Sequence, residues 1–342
     1  MNIYDIAREA GVSITTVSRV LNNKGYVSEK TREKIQKVLE KHEYQPSAIA
    51  RGLATGSMKT VAIVAVDLRV PHYALTTFIM EQQLSELGYM VLVCNTGEEE
   101  EGCKKYLEML SKRKVDGIIL TGTVITGEHR KFLKESKVPV VVVGQYTKYA
   151  NCIYHDDYGA GRAMGEEAAA LVRPGSHAAY IGVTREDRAV GVSREDGFRA
   201  GLKSAGVELQ EEYVRKAEFT MDSGYQEARN LLEMGKDISV ISCATDTIAA
   251  GAIEAILAYR KERIPAAADN SGVRMEFSPE KQDIYVTGFG DNQFLKAVTG
   301  GIPTVHFGYK TSGIRGAELL LDVIERGERI PIEMKLGFRL VK

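Results

Sequence analysis

The stretch Asp5-Ile6-Ala7-Arg8-Glu9-Ala10-Gly11-Val12-Ser13-Ile14-Thr15-Thr16-Val17-Ser18-Arg19-Val20-Leu21-Asn22 carries most of the information in this chain of 342 residues. Ile3, Ile6, Ala7 and Ala10 follow the i, i+3, i+4, i+7 spacing of one buried helix face. Gly11 ends that helix. Ser13 is a good N-cap for a second helix, from about Ile14 to Leu21, with Val17, Val20 and Leu21 facing inward. Ser28 caps a third, whose apolar stripe is Ile35, Val38 and Leu39. Two helices joined by a tight turn make a helix-turn-helix, whose second helix lies in the DNA major groove with its first residues at the base edges.

In that arrangement Ile14, Thr15 and Ser18 face outward, with Arg19 further along and Asn22 at the end of the stretch. Arginine can pair bidentately with guanine, and Ile14 or a threonine methyl can touch a thymine methyl. Tyr4, Ser13, Thr16, Tyr26, Ser28 and Thr31 carry the hydroxyls suited to phosphate contacts. On spacing alone, a small helical bundle with solvated charges is the competing reading. The stretch, continued through Val27-Ser28-Glu29-Lys30-Thr31-Arg32-Glu33-Lys34 and Tyr44-Gln45-Pro46-Ser47-Ala48-Ile49-Ala50-Arg51-Gly52-Leu53, resembles the DNA-binding headpiece of the lactose-repressor (LacI/GalR) family. The resemblance implies a headpiece over 1–46 and, over 47–57, a hinge that becomes helical on the operator. It places Leu53 where the family wedges a leucine into the minor groove, with Ala54 beside it and Arg51 on the same short helix. An apolar wedge of that kind unstacks a base step and kinks the duplex. Packing of Leu53 on the core is the alternative.

Composition agrees with a soluble globular protein and hides an asymmetry. The formal net charge is −1, which excludes a uniformly basic nucleic-acid coat. Yet the first 57 residues hold nine Lys/Arg against six Asp/Glu, leaving a net −4 for residues 58–342. A basic reader joined to an acidic remainder fits this split, with the join near Gly56-Ser57. The longest apolar runs, such as Pro139 to Val143, are strand-sized, far below the ~18 residues of a membrane helix. The chain start lacks the pattern of a signal peptide, and Cys94, Cys103, Cys152 and Cys243 show no Cys-x-x-Cys spacing. A cytoplasmic protein with reduced cysteines, no membrane association and no metal is the expectation.

From Thr60 onward, β-branched runs alternate with helical stretches. Strands are predicted at Val61–Val66, Met90–Cys94, Gly117–Leu120, Val140–Val143, Cys152–His155, Ala178–Gly182, Val240–Cys243 and Ile284–Phe289. Helices are predicted at 77–87, 103–113, 160–171, 195–205, 223–234 and 247–259. This rhythm means right-handed βαβ crossovers and a mostly parallel, doubly covered sheet. Its length favours two lobes. The fold class is therefore α/β, an N-terminal helix-turn-helix headpiece plus, by the family resemblance, a periplasmic-binding-protein-like core of two Rossmann-like lobes. The core spans 60–342, with a first lobe at about 60–158 and 290–317 and a second at about 159–287 and 318–342. Residues 263–282 interrupt the rhythm and read as an exposed loop of no assigned role.

Open α/β sheets bind ligands at the carboxyl ends of their strands. That rule singles out Asp67, Arg69, His72, Tyr73, Gln145, Asp156, Asp157, Thr245, Asp246 and Asp291. The resemblance adds Arg194, at the place of the family's arginine before a Gly-aromatic pair, which hydrogen-bonds the effector. It also adds Phe219, at the place of an aromatic on which effector rings stack. Thr245-Asp246-Thr247-Ile248-Ala249-Ala250-Gly251 matches the family's acidic stretch. Plain structural roles compete: Asp246 and Asp156 or Asp157 as helix caps, Phe219 as core, Arg194 as partner of a surface acid, His72 as a solvated loop residue.

Two departures stand out. Many relatives have Asn-Pro-Phe-Phe where this chain has Val70-Pro71-His72-Tyr73, and an aspartate where Gly290 follows Gly288-Phe289. These argue against a simple galactoside or purine effector. His155-Asp156-Asp157-Tyr158-Gly159-Ala160-Gly161 with Cys243-Ala244-Thr245-Asp246-Thr247 resembles members controlling sucrose or trehalose use. The expected protein is a homodimeric repressor of carbohydrate-use genes that reads a pseudopalindromic operator. Its effector is a disaccharide or sugar phosphate, an inducer rather than a corepressor, and it needs no cofactor. The chain ends at Leu340-Val341-Lys342 without the leucine heptad tail of four-subunit relatives, which favours a dimer. A nucleobase or nucleoside effector and a transport-type sugar-binding protein are the alternatives. No Gly-x-x-x-x-Gly-Lys-Ser/Thr loop, Gly-x-Ser-x-Gly elbow or His-Glu-x-x-His site suggests an enzyme.

Overall fold

The three amino-terminal helices form where their apolar spacing places them. The computed structural model describes residues 2–21, 25–42, 44, 57–97, 100–112, 115–122, 124–263, 284–327 and 330–342. Helices α1 (Ile3–Ala10), α2 (Ile14–Leu21) and α3 (Glu29–Lys41) bury Ile6, Ala7, Ala10, Val17, Val20 and Ile35 in one small core. Asn2 caps α1 in a reciprocal box with Asp5, and Gly11 stops it in the left-handed conformation at φ 65°. Glu9 of α1 binds both Lys41 and His42 at 2.8 Å, tying the first helix to the end of the third.

The chain divides into two units, residues 1–60 with 114–116 and residues 61–113 with 117–342. Within the first, the Asp116 carboxylate accepts hydrogen bonds from Ser57 Oγ, Met58 N and Thr60 N at 2.9–3.0 Å, which holds the exit from residue 57.

The second unit contains two lobes. The first is a six-stranded sheet built from β1 (Thr60–Ala65), β2 (Met90–Asn95), β3 (Gly117–Thr121), β4 (Val140–Val143), β5 (Asn151–His155) and β11 (Glu333–Leu336), ordered β11-β5-β4-β3-β1-β2. The β1–β3, β3–β4, β4–β5 and β5–β11 pairings are parallel. Every residue of β3 and β4 is buried, which is why their sequences read as unbroken apolar runs. Helix α4 (Pro71–Glu86) lies beside α12 (Tyr309–Arg326) over this sheet, and α5 (Glu100–Lys112) and α6 (Gly127–Glu135) complete the lobe.

The second lobe holds β6 (His177–Gly182), β7 (Val214–Lys216), β8 (Ile238–Cys243) and β9 (Tyr285–Thr287), ordered β7-β6-β8-β9 and parallel. Its helices are α7 (Asp157–Ala169), α8 (Glu195–Ser204), α9 (Met221–Glu233), α10 (Asp246–Glu262) and α11 (Gln293–Thr299). A π-helical turn, Arg188–Arg194, precedes α8. Strands β10 (Thr304–Phe307) and β12 (Phe338–Val341) pair antiparallel, and Val305, Phe307, Phe338 and Leu340 pack with this lobe's core.

The lobe boundaries expected from sequence need correction. Residues 290–307 belong with the second lobe, whereas α12 and β11 belong with the first, so α12 is one unbroken helix with no crossing at residue 317. The chain passes between lobes after β5, at Gly308 and at Gly337. Strands β7, β10, β11 and β12 were not predicted, because each is three or four residues long and polar residues interrupt it, leaving no unbroken apolar run to find. Helices α6, α11 and α12 were also missed. All four cysteines are buried and none forms a disulfide. No helix among the described residues is long and apolar enough to cross a membrane.

Candidate functional site

Helix α2 presents Ser13, Ile14, Thr15 and Arg19 to solvent, while Thr16 and Ser18 are half-buried. Ser13 Oγ accepts the Thr16 N–H at 3.1 Å, so the N-cap is formed and the first residues of the helix stay outward. Ser28 Oγ does the same for Thr31 N at the start of α3, and each cap serine also bonds its threonine hydroxyl at 2.8 Å. Tyr4 and Tyr26 are exposed. Tyrosine rings, hydroxyls and two helix N-termini on one small basic unit are the groups that hold phosphate. Asn22, Arg51, Leu53 and Ala54 lie outside the described residues, as does most of 263–282.

In the core, the strand ends of the first lobe face the turn before α8. Within the second lobe, glycines let the backbones of α7 and α8 touch. Gly165 of α7 lies against Gly201 of α8, and a Cβ on Gly161 would stand 2.2 Å from the Arg194 carbonyl oxygen. Backbones in contact bring the N-terminal ends of both helices together. Arg194 Nε therefore reaches Asp157 Oδ1 at 2.7 Å, and its Nη1 reaches the Ala244 carbonyl at 2.8 Å. The guanidinium also lies over the Phe289 and Phe307 rings, 5.2 and 4.8 Å from their centroids. Burial works against its charge, but Asp157 outweighs that and holds the guanidinium above its ordinary range.

A small cavity of about 40 Å³ opens here, lined by His72, Tyr73, Gln145, His155, Asp157 and Arg194, with Tyr309 and Ser312 of α12 and Ala189 and Val190 of the π-helical turn. His72 stacks on Tyr309 at 5.2 Å and meets Tyr73 edge-on at 4.1 Å. His155 Nε2 and Ser312 Oγ are 2.9 Å apart. Burial, with Arg194 adding to it, lowers the His72 pKa to about 3 and that of His155 to about 4. Both rings are neutral near pH 7, each with one donor and one acceptor. Gln145 Nε2 donates to Asp187 Oδ1 at 2.9 Å, joining the end of β4 to the second lobe.

The structure thus brings together five residues singled out by sequence: His72, Tyr73, Gln145, Asp157 and Arg194. Seven others, Asp156 among them, do not line the cavity. Asp67 and Arg69 form a bidentate pair with each other in the loop before α4. Phe219 packs on the second-lobe core. Thr245 caps α10 through Ile248 N. Asp246 accepts Asn292 N and Thr304 Oγ1, both at 2.7 Å, and burial raises its pKa. Asp291 sits at φ 51° and holds His306 at 2.8 Å. The adjacent acids divide their roles, since Asp156 caps α7 through Gly159 N while Asp157 pairs with Arg194. Sequence reasoning missed His155, Asp187, Tyr309 and Ser312. His155 ends a predicted strand and was open to the same rule that selected Gln145, whereas Tyr309 and Ser312 follow a strand too short to recognise.

Residues 2–47 match the model of bacterial regulatory proteins of the lacI family, and residues 57–274 match that of the periplasmic binding proteins and sugar binding domain of the same family. The chain belongs to the LacI family. This LacI-family protein is 31% identical to the sucrose operon repressor of Staphylococcus xylosus over 98% of this chain and 99% of the relative. Among solved structures, it is 26% identical to a transcriptional regulator CelR–cellobiose complex, with TM-score 0.71, covering 100% of this chain and 98% of that one. The lac repressor dimer bound to operator and the anti-inducer ONPF shares its fold, with TM-score 0.81 at 23% identity over 100% and 98% of the two chains. As a LacI-family regulator, the protein binds operator DNA through its headpiece and a small-molecule effector through its core.

Proposed function

We propose that this regulator is a cytoplasmic, homodimeric repressor of carbohydrate-use genes, without catalytic activity, released from its operator by a disaccharide inducer bound between the two lobes. The observation that carries the reading is the Asp157–Arg194 pair flanked by two neutral histidines and two tyrosines. Sugar hydroxyls both donate and accept. Neutral imidazoles, the Gln145 amide and the Ser312 hydroxyl offer both functions, and aromatic faces suit the apolar face of a sugar ring. The lining carries Arg194 against Asp157, with Asp187 bonded to Gln145, which favours a neutral disaccharide over a sugar phosphate. The sucrose repressor relative and the cellobiose complex support the disaccharide class.

A cavity of about 40 Å³ holds a water molecule or two, so a sugar enters only as the lobes part. Effector binding and lobe movement are then one event, which is the unequal binding to two states that control of DNA affinity requires. Exposed Leu75 and Phe78 on α4, with Met90, Leu92 and Val93 on β2, supply an apolar edge for the dimer. In the same reading Leu53 wedges the operator centre, and Leu53→Ala reduces DNA bending while leaving effector affinity intact.

The test is calorimetric titration of the full chain with disaccharides, their phosphates, monosaccharides and nucleobases, paired with operator affinity in the presence of each. A disaccharide that binds and weakens operator affinity supports the proposal. Response only to a nucleobase, or tighter operator binding with sugar, overturns it.

A further inference from the structure

Beside the small cavity lies a much larger groove of about 1020 Å³, which shares Gln145, His155, Asp157 and Ala189 with it. We infer that this groove is an outer subsite for further sugar units, so that the effector class extends to oligosaccharides longer than two residues. The inference rests on the sugar reading above and adds to it a ledge of three tyrosines.

Tyr146 and Tyr154 line the groove on the first-lobe side and Tyr158, at the start of α7, borders it from the second lobe, with Tyr146 and Tyr158 52% and 49% exposed. Tyr146 meets Tyr154 edge-on with centroids 5.4 Å apart. Tyr154 is itself fixed, because its hydroxyl donates to the Glu333 carboxylate. Rings held at an angle and left half in water are poor core residues but good platforms for the C–H face of a pyranose, with their hydroxyls reaching sugar oxygens. The opposite wall is second-lobe chain, including Arg188, whose guanidinium makes no ion pair among the described residues. Arginine donors and tyrosine faces are the pairing a neutral, polyhydroxylated chain needs.

The groove is large enough for a subsite. Small-molecule sites span about 300–1,000 Å³, and this groove stands at the top of that range before the inner cavity is added. A disaccharide seated at Arg194 does not fill it. A longer glycan emerging past His155 and Asp157 runs directly onto the ledge, since those residues border both spaces.

The test uses full-chain protein and homologous malto-, cello- and fructo-oligosaccharides of two to five units, with affinity measured by calorimetry. In the series that binds, affinity rises about three- to tenfold from two units to three or four and then levels off. Tyr146→Ala and Tyr158→Ala remove that rise and leave disaccharide affinity within about twofold, while Tyr146→Phe retains most of it. Affinity that is flat or falls beyond two units overturns the outer subsite while leaving the disaccharide effector standing. Equal losses for short and long sugars in the Tyr146→Ala protein also overturn it. If no saccharide of any length binds, the sugar reading itself fails and the subsite with it.

Discussion

Gln145 and Asp187 are 2.9 Å apart, and through that single bond the carboxyl end of β4 in one lobe holds the residue that starts the π-helical turn of the other. Asp187 Oδ1 also accepts Val190 N at 2.8 Å, so one carboxylate oxygen both shapes the turn that ends at Arg194 and latches the lobes.

Gln145→Ala removes the latch without touching the Asp187 cap. A hydrogen bond to a charged group contributes about 1.5–3 kcal/mol, so the population with lobes apart rises by roughly tenfold or more. Distances between spin labels placed on β2 and α9 report it. An unchanged distance distribution means the latch does not set the lobe equilibrium.

Removing one member of the buried Asp157–Arg194 pair leaves a buried charge. Arg194→Met costs about 3–5 kcal/mol in chemical denaturation, whereas Asp157→Asn combined with Arg194→Met recovers most of it. Neither protein regains effector affinity. A double variant no more stable than Arg194→Met alone contradicts this.

His72 and His155 have pKa values lowered to about 3 and about 4, chiefly by burial. The unfolded chain, near pKa 6.5, takes up these protons first. Their contribution to stability is therefore complete above pH 6.5 and is lost as pH falls from there towards 4. Denaturation midpoints of the wild type and of His155→Gln, followed from pH 7.5 to 4.5, converge as pH drops. Effector affinity stays level between pH 6.5 and 8, where both rings remain neutral.

Gly122 and Gly144 both border the cavity at positive φ, 72° and 96°, but only Gly122 is crowded, since a Cβ there would stand 2.8 Å from the Tyr73 ring. Gly144→Ala costs about 1–3 kcal/mol of backbone strain alone. Gly122→Ala costs more and also displaces Tyr73, lowering effector affinity. Thermal melts and titrations of the two proteins separate the terms.

Arg19 is exposed on α2. Arg19→Ala weakens specific operator binding by about 1–3 kcal/mol and relaxes preference at one base pair. Because the net +3 of the first 57 residues faces phosphate, salt weakens operator binding steeply and effector binding little. Equal loss on operator and random DNA places Arg19 on the backbone instead.

Local order was legible in the sequence because local rules produce it. Ile6, Ala7, Ala10, Val17, Val20 and Ile35 lie at helical spacing, and they are the buried core of the headpiece. Ser13 and Ser28 cap the helices they precede. The buried strands β3, β4 and β8 announce themselves as continuous runs because both faces are covered. The strand-end rule selected Gln145 and Asp157, which both line the small cavity.

The same rule also selected Asp67, Asp246 and Asp291, which partner Arg69, Asn292 with Thr304, and His306 instead. A strand end is a local property, whereas facing the other lobe depends on how distant segments cross. Residues 309–336 return to the first lobe and 338–341 to the second, and no apolar run marks either change. That return brings Tyr309 and Ser312 to His72 and His155 across more than 150 residues of chain. The sequence alone determined a basic reader on an α/β sensor, since helix caps, apolar periods and charge are written within a few residues of where they act. The cavity chemistry was decided only by tertiary structure, because Asp157 meets Arg194 through glycine-to-glycine packing of α7 on α8, a contact that exists only once both helices are folded.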